Sequence, residues 1–284
     1  MLFRSFLLFA GDDNASPIIL TIQGGTNVSF SLSFEYFDQV LLPALERFGI
    51  KVARKLELRG WSHGTRELGS IKFQFIPIPV GQTLNAADWP TERGTITEIA
   101  ISIIVPKHVI KTLKNSLLSK INSVFPGVES YFQVVEDSRH DTRLYTLLVA
   151  HTSTGLRFGR DWLYDSKSRG RSPAELSSEI AQKVVRDLQM ELEKGGLVDE
   201  YLQDQLVVFQ ALAEGGSSMP ETSAALSSDR TRVDRTDEPF GSGSTHTTTA
   251  RWVTSELLLR ARWIDNGRIC EGVGWGTTPA TLSN

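Results

Sequence analysis

The chain has 284 residues, 30 Lys plus Arg and 33 Asp plus Glu, hence a formal net charge of −3. That balance excludes a generally polybasic nucleic-acid coat protein, so any nucleic acid must be met by a local patch. With 40% hydrophobic and 22% charged residues the chain can bury a real core as about two domains or one large one, and a lone Cys270 excludes internal disulfides and fits a reducing compartment.

The start, MLFRSFLLFAG, invites a reading as a secretory signal. Its uninterrupted apolar run, residues 6–10, falls short of the roughly 7–15 of a signal core, so it reads as part of a buried element. No run approaches the ~20 apolar residues that cross a bilayer, and no membrane role is expected.

Residues 18–22 (IILTI) read as a strand running into the turn signal Gly24-Gly25. A helix is predicted over 34–48 from the spacing of Phe34, Phe37, Leu41, Leu45 and Phe48, with Gly49 as its stop. Pro43 inside it predicts a kink. Residues 50–58 and 70–78 read as strands, the second alternating Ile71, Phe73 and Phe75 with Lys72 and Gln74.

A polar stretch at 85–90 suggests a boundary. A β-branched strand (95–105), an amphipathic helix (107–124, through Val109, Leu113, Leu117 and Ile121) and strands at 131–135 and 144–150 follow. This β-α-β-β order predicts a compact inserted α/β domain over 93–171, between core segments 1–92 and 172–284. Its helix 107–124 is expected to pack within the insert and away from the next helix.

Ser172-Pro173-Ala174-Glu175 is a capping box with Pro at the first helical position. The helix it opens is expected to end at Gly195-Gly196, and a second helix covers 200–213. Residues 214–245 turn to Ser, Gly, Thr, Asp and Arg and are expected to form a disordered loop. Structure resumes at His246 with a helix to about 258, then a hairpin around Asp265-Asn266-Gly267. The alternation of α and β elements admits a structural repeat, although no sequence repeat is visible.

GxxxxGK[ST], HExxH, GxSxG and paired CxxC motifs are absent. His63, His108, His140, His151 and His246 show no metal-ligand spacing. His246 stands out because Thr247, Thr248 and Thr249 follow it at a helix start. A histidine there is favoured in its neutral form by the helix dipole and can attack phosphate. The plainer alternative is a helix start that happens to contain His, with Thr245 as its N-cap.

The stretch 197–213 (LVDEYLQDQLVVFQALA), with Gly24-Gly25-Thr26-Asn27 and His246-Thr247-Thr248-Thr249-Ala250, resembles the RNA 3'-terminal phosphate cyclase family. Thr91-Glu92-Arg93-Gly94, Thr152-Ser153-Thr154-Gly155 and Gly272-Val273-Gly274 match in family order, from about residue 7 to about 280, most closely in the eukaryotic type. The resemblance implies an α/β (α+β) fold of repeated βαβαββ-type units with a smaller inserted domain. It also implies a nuclear enzyme that uses ATP and Mg2+ to convert an RNA 3'-terminal phosphate to a 2',3'-cyclic phosphate through a covalent His–AMP intermediate.

By the same resemblance His246 is the nucleophile. Tyr201, Asp204 and Gln205 contact the nucleotide, with Asp204 a candidate to orient the imidazole. No metal ligand is assigned. The helix carrying Asp204 and the start of the helix carrying His246 are expected to converge on one pocket. A silent, cyclase-like RNA-processing scaffold is the alternative, but that branch lacks the nucleophilic His, so His246 favours the enzyme.

There are departures. Leu32 stands where a Pro is usual, Met1 where a nucleotide-contacting Gln is frequent, and 61–69 (WSHGTRELG) is poorer in Gly than its family counterpart. The family also carries a unit before the position of Leu7, with a metal-contacting Glu and phosphate-binding Arg residues. Without it this chain is expected to accept AMP poorly or not at all.

Overall fold

A computed structural model of the chain describes residues 17–63, 67–79, 81–164, 170–218 and 243–276. The N-terminal stretch read as a buried element, and most of the expected loop, lie outside the described residues.

The first unit is β1 (Ile18–Gly24), a helix α1 (residues 34–46), β2 (Val52–Leu58) and β3 (Gly69–Phe75). Both β1 and β2 run antiparallel to β3, in the order β1-β3-β2. The alternation read in the sequence is realised here: Phe73 and Phe75 are buried while Lys72 and Gln74 face water.

Pro43 does not break α1. The helix comprises the consecutive segments Phe34–Tyr36, Phe37–Leu41 and Leu42–Glu46, the middle one a π-turn in which the Leu42 N–H donates to the Phe37 carbonyl. Pro43 has no N–H to give to the carbonyl four residues back, Gln39, and the Arg157 guanidinium donates to that carbonyl instead at 3.0 Å. At the position of the expected kink the helix widens locally and takes a donor from outside.

The last unit repeats this order. After β8 (Glu214–Ser218) come a helix (Thr245–Leu257), β9 (Arg262–Ile264) and β10 (Ile269–Val273), with strands in the order β8-β10-β9 and both neighbours antiparallel to β10. The two βαββ units are therefore structural repeats without sequence repetition. Residues 214–218, expected at the head of a disordered loop, form a strand, because β10 supplies backbone partners that their apolar content could not announce.

Between the repeats lies a four-stranded sheet of β4 (Ile96–Val105), β5 (Glu129–Asp137), β6 (Tyr145–Thr152) and β7 (Arg157–Leu163), ordered β5-β4-β6-β7. Helix α2 (Lys107–Val124) is the crossover joining the parallel pair β4 and β5. Its Val109, Leu113, Leu117 and Ile121 are all buried.

Two expectations fail in this region. β7 was missed altogether, and the insert does not end at 171. Helix α3 (Pro173–Glu193), opened by the expected capping box at Ser172, packs along α2 and against β6 and β7. The sheet needs two helices to cover it, so the layered unit extends through α3, past the expected boundary. One apolar core then runs without a break through the first unit, this sheet and the helix that follows α3.

Candidate functional site

Helix α4 (Glu200–Leu212) follows α3, and α5 (Thr245–Leu257) precedes β9. They pack on each other over a small core in which Val207 and Ala211 meet Trp263, Cys270 and Ala250. This packing brings residue 203 of one helix to the start of the other.

Asp199 caps α4, its carboxylate accepting from the Tyr201 and Leu202 N–H groups at 3.1 and 3.0 Å. α5 is capped by Ser244, whose hydroxyl accepts from the Thr247 N–H at 3.2 Å. The cap is therefore Ser244 and not Thr245. His246 sits in the first helical turn with its side chain exposed.

On α4 the buried face carries Leu202, Leu206, Val207, Phe209 and Gln210. Tyr201, Asp204 and Gln205 fall on the other side, half-buried or exposed, as helix geometry requires of positions i, i+3 and i+4. Asp204 accepts from the Gln205 amide at 2.8 Å, so those two form one hydrogen-bonded unit.

A polar contact between the helices runs through Gln203, whose side-chain oxygen lies 3.5 Å from the Thr247 hydroxyl. Among the described residues no hydrogen bond or ion pair joins His246 to Asp204. A cleft of about 290 Å³ opens here, lined by Lys194, Glu200, Gln203 and Ser244 among others. The Lys194 ammonium bridges Glu191 at 2.8 Å and Glu200 at 2.7 Å.

Sequence reasoning missed the buried group behind α4. Asp199 also accepts from the Tyr36 hydroxyl at 2.5 Å and from the Gly159 N–H at 2.8 Å. Arg160 pairs with Glu191 and lies 3.8 Å from Asp199. Burial pushes the Asp199 carboxyl up to about 6, against hydrogen bonds and the Arg160 charge that favour its ionised form. The only sequence signal was an Asp directly before a helix, which marks the cap and says nothing of the rest.

Nearby, Glu35 is buried between Arg59, at 2.6 Å, and the Asn27 amide, at 3.0 Å. Arg59 also reaches Glu136, at 2.8 Å. Thr26 and Asn27 of the Gly-Gly-Thr-Asn stretch each donate a backbone N–H to the Gly60 carbonyl at 2.9 Å. That motif is thereby a brace that orients α1 against the first sheet.

A family model described as RNA 3'-terminal phosphate cyclase matches residues 2–260. The chain belongs to this family. It is similar to the RNA 3'-terminal phosphate cyclase of Drosophila melanogaster, 25% identical over 238 residues, covering 83% of this chain and 62% of that protein. A probable cyclase from Dictyostelium discoideum is 25% identical over 202 residues, 70% of this chain and 45% of the relative. The cyclase of Thermococcus sibiricus is 27% identical over 214 residues, 74% of this chain and 58% of the relative. The chain thus spans less than two thirds of each of these relatives. The cyclase match takes in α4 and the start of α5 together.

Among the described residues no three His, Cys, Asp or Glu side chains gather into a group that could hold a metal.

Proposed function

We propose that this cyclase-family chain carries the AMP-accepting side of an ATP-dependent RNA 3'-phosphate cyclase, with His246 as acceptor. The observation that supports it most is the family match over 2–260 together with an exposed His246 on the first turn of a helix packed against α4. An imidazole nitrogen of His246 would attack the α-phosphorus of ATP, forming an N–P bond and releasing pyrophosphate. A terminal 3'-phosphate oxygen of RNA would then attack the same phosphorus, freeing the histidine. The neighbouring 2'-hydroxyl would close on the RNA phosphorus, lose its proton and release AMP.

Tyr201, Asp204 and Gln205 would hold the nucleotide from α4. Backbone N–H groups at a helix start favour bound phosphate, which suits the placement of His246. We place the activity in a reducing, nuclear compartment.

Labelling with ATP radioactive at the α-phosphate tests the reading. Label, at whatever yield, should be acid-labile, should vanish in His246→Ala and should weaken in Asp204→Ala. Label that persists in His246→Ala would overturn the reading, and so would a chain that neither takes label nor binds ATP.

A further inference from the structure

Tyr201 is 46% exposed, yet its ring is held from beneath. The Arg160 guanidinium carbon lies 4.3 Å from the ring centroid, and the Arg160 side chain is only 8% exposed. The Tyr36 ring meets it edge-on, with centroids 6.4 Å apart and planes at 76°.

Arg160 is itself pinned. One end of its fork pairs with the buried Glu191 carboxylate and lies 3.7 Å from Glu200. The other lies 3.8 Å from the buried Asp199 and donates to the Gly159 carbonyl at 3.3 Å. Asp199 in turn holds both the Tyr36 hydroxyl and the Tyr201 N–H. The backbone and the ring of Tyr201 are thus referenced to one buried group. A planar guanidinium stacks on an aromatic face in a way that an ammonium does not. Since Arg160 is buried, the exposed area of Tyr201 must lie away from the face that Arg160 covers.

We propose that Arg160 is a positioning residue: it fixes the Tyr201 ring with one face covered, so that the open side presents a rigid platform to the purine base of ATP. The inference rests on the reading of α4 as the nucleotide-contacting helix and adds a residue that touches no nucleotide itself. A ring already immobilised by Arg160 loses less freedom when a base stacks on it.

The test titrates the 284-residue protein with ATP and, separately, with ribose 5-triphosphate, which carries the phosphates and no base. Arg160→Lys keeps a positive charge beside Glu191 and Asp199 and removes the planar stack. It should weaken ATP binding about tenfold, from the range of cation–π and base-stacking energies, and leave ribose 5-triphosphate binding unchanged. Tyr201→Leu should show the same ATP-specific loss, and the double variant should lose no more than either single one.

An equal loss for both ligands would make Arg160 a structural residue only, and no loss for either would also overturn the inference. Should Arg160→Lys fail to fold, Glu191→Gln, which loosens the pin and keeps Arg160, must show a smaller loss confined to ATP. Wild-type protein that binds the two ligands equally well overturns the base platform and leaves the phosphate site standing. Protein that binds neither overturns the nucleotide reading as well.

Discussion

Replacing Asp199 with alanine is expected to lower the unfolding free energy by about 4 kcal/mol near pH 5, since one change leaves several buried groups without partners. The α4 cap is lost, which by itself costs about 1 kcal/mol. The Tyr36 hydroxyl and the Gly159 N–H are left facing the void, at a desolvation cost of about 1–3 kcal/mol each. Neither can turn to water. Tyr36 is fully buried, and an added Cβ at Gly159 would lie 2.7 Å from the Tyr36 ring, so the strand and ring already touch.

The pH dependence has a definite sign. The ordinary carboxyl value is 3.8 and burial raises it to about 6 in the fold. The folded state therefore binds the proton more tightly than the unfolded chain. The stability contributed by protonated Asp199 is fully present below about pH 4 and is lost as pH rises through about 6. The gap between wild type and Asp199→Ala should be widest below about pH 4 and should narrow as pH rises through about 6. Urea unfolding of both proteins at several pH values checks this, with m unchanged. A gap that widens as pH rises would show that the carboxylate form is the one the fold prefers.

Elements with a regular apolar period were legible, and elements shaped by polar or close contacts were not. The four buried positions of α2 follow the helical repeat, and the box at Ser172 announces α3 through side-chain and backbone chemistry that needs no tertiary partner. β7, with Gly159, Arg160 and Asp161 at its centre, has no such period. Gly159 is required by the Tyr36 ring. Arg160 answers Glu191, and Asp161 accepts from the Ser33 and Tyr145 hydroxyls at 3.0 Å. Each of these residues is chosen by something distant in sequence. β8 is harder still, since Glu-Gly-Gly-Ser-Ser becomes a strand only when β10 pairs with it.

The site was legible in the same uneven way. Resemblance picked out His246, Tyr201, Asp204 and Gln205, all on accessible faces of α4 and α5. It passed over Gln203, which makes a polar contact between the helices, and Arg160, which lies on a strand of the central sheet. Helical spacing can say that positions 201, 204 and 205 share a side. It is silent on which buried group stands behind them.

Gly272→Ala is expected to cost roughly 3 kcal/mol or more, well above the usual effect of one added methyl, because the methyl has only backbone to displace. A Cβ at Gly272 would lie 2.2 Å from the Ala213 carbonyl oxygen and 2.4 Å from that of Gln210. These are carbonyls at the end of α4, where a helix leaves its acceptors unpaired. The segment just after Gly272 satisfies two of them. The Gly274 N–H donates to the Ala213 carbonyl and the Trp275 N–H to the Leu212 carbonyl, both at 2.9 Å. Pushing β10 away from α4 would therefore break these bonds as well as open the small core around Trp263 and Cys270. Gly216, on the partner strand of the same sheet, is the internal control. A Cβ there meets nothing within 4 Å, and alanine at that position should be neutral or slightly stabilising. Chemical denaturation of the two variants separates the causes. Equal losses would point to the glycine content of the sheet, whereas a loss confined to Gly272→Ala would locate the cost at the end of α4. Tyr201, Asp204 and Gln205, which we propose hold the nucleotide, lie in the opposite, N-terminal half of that helix, so on that proposal nucleotide affinity of the folded fraction should be retained while the melting temperature falls.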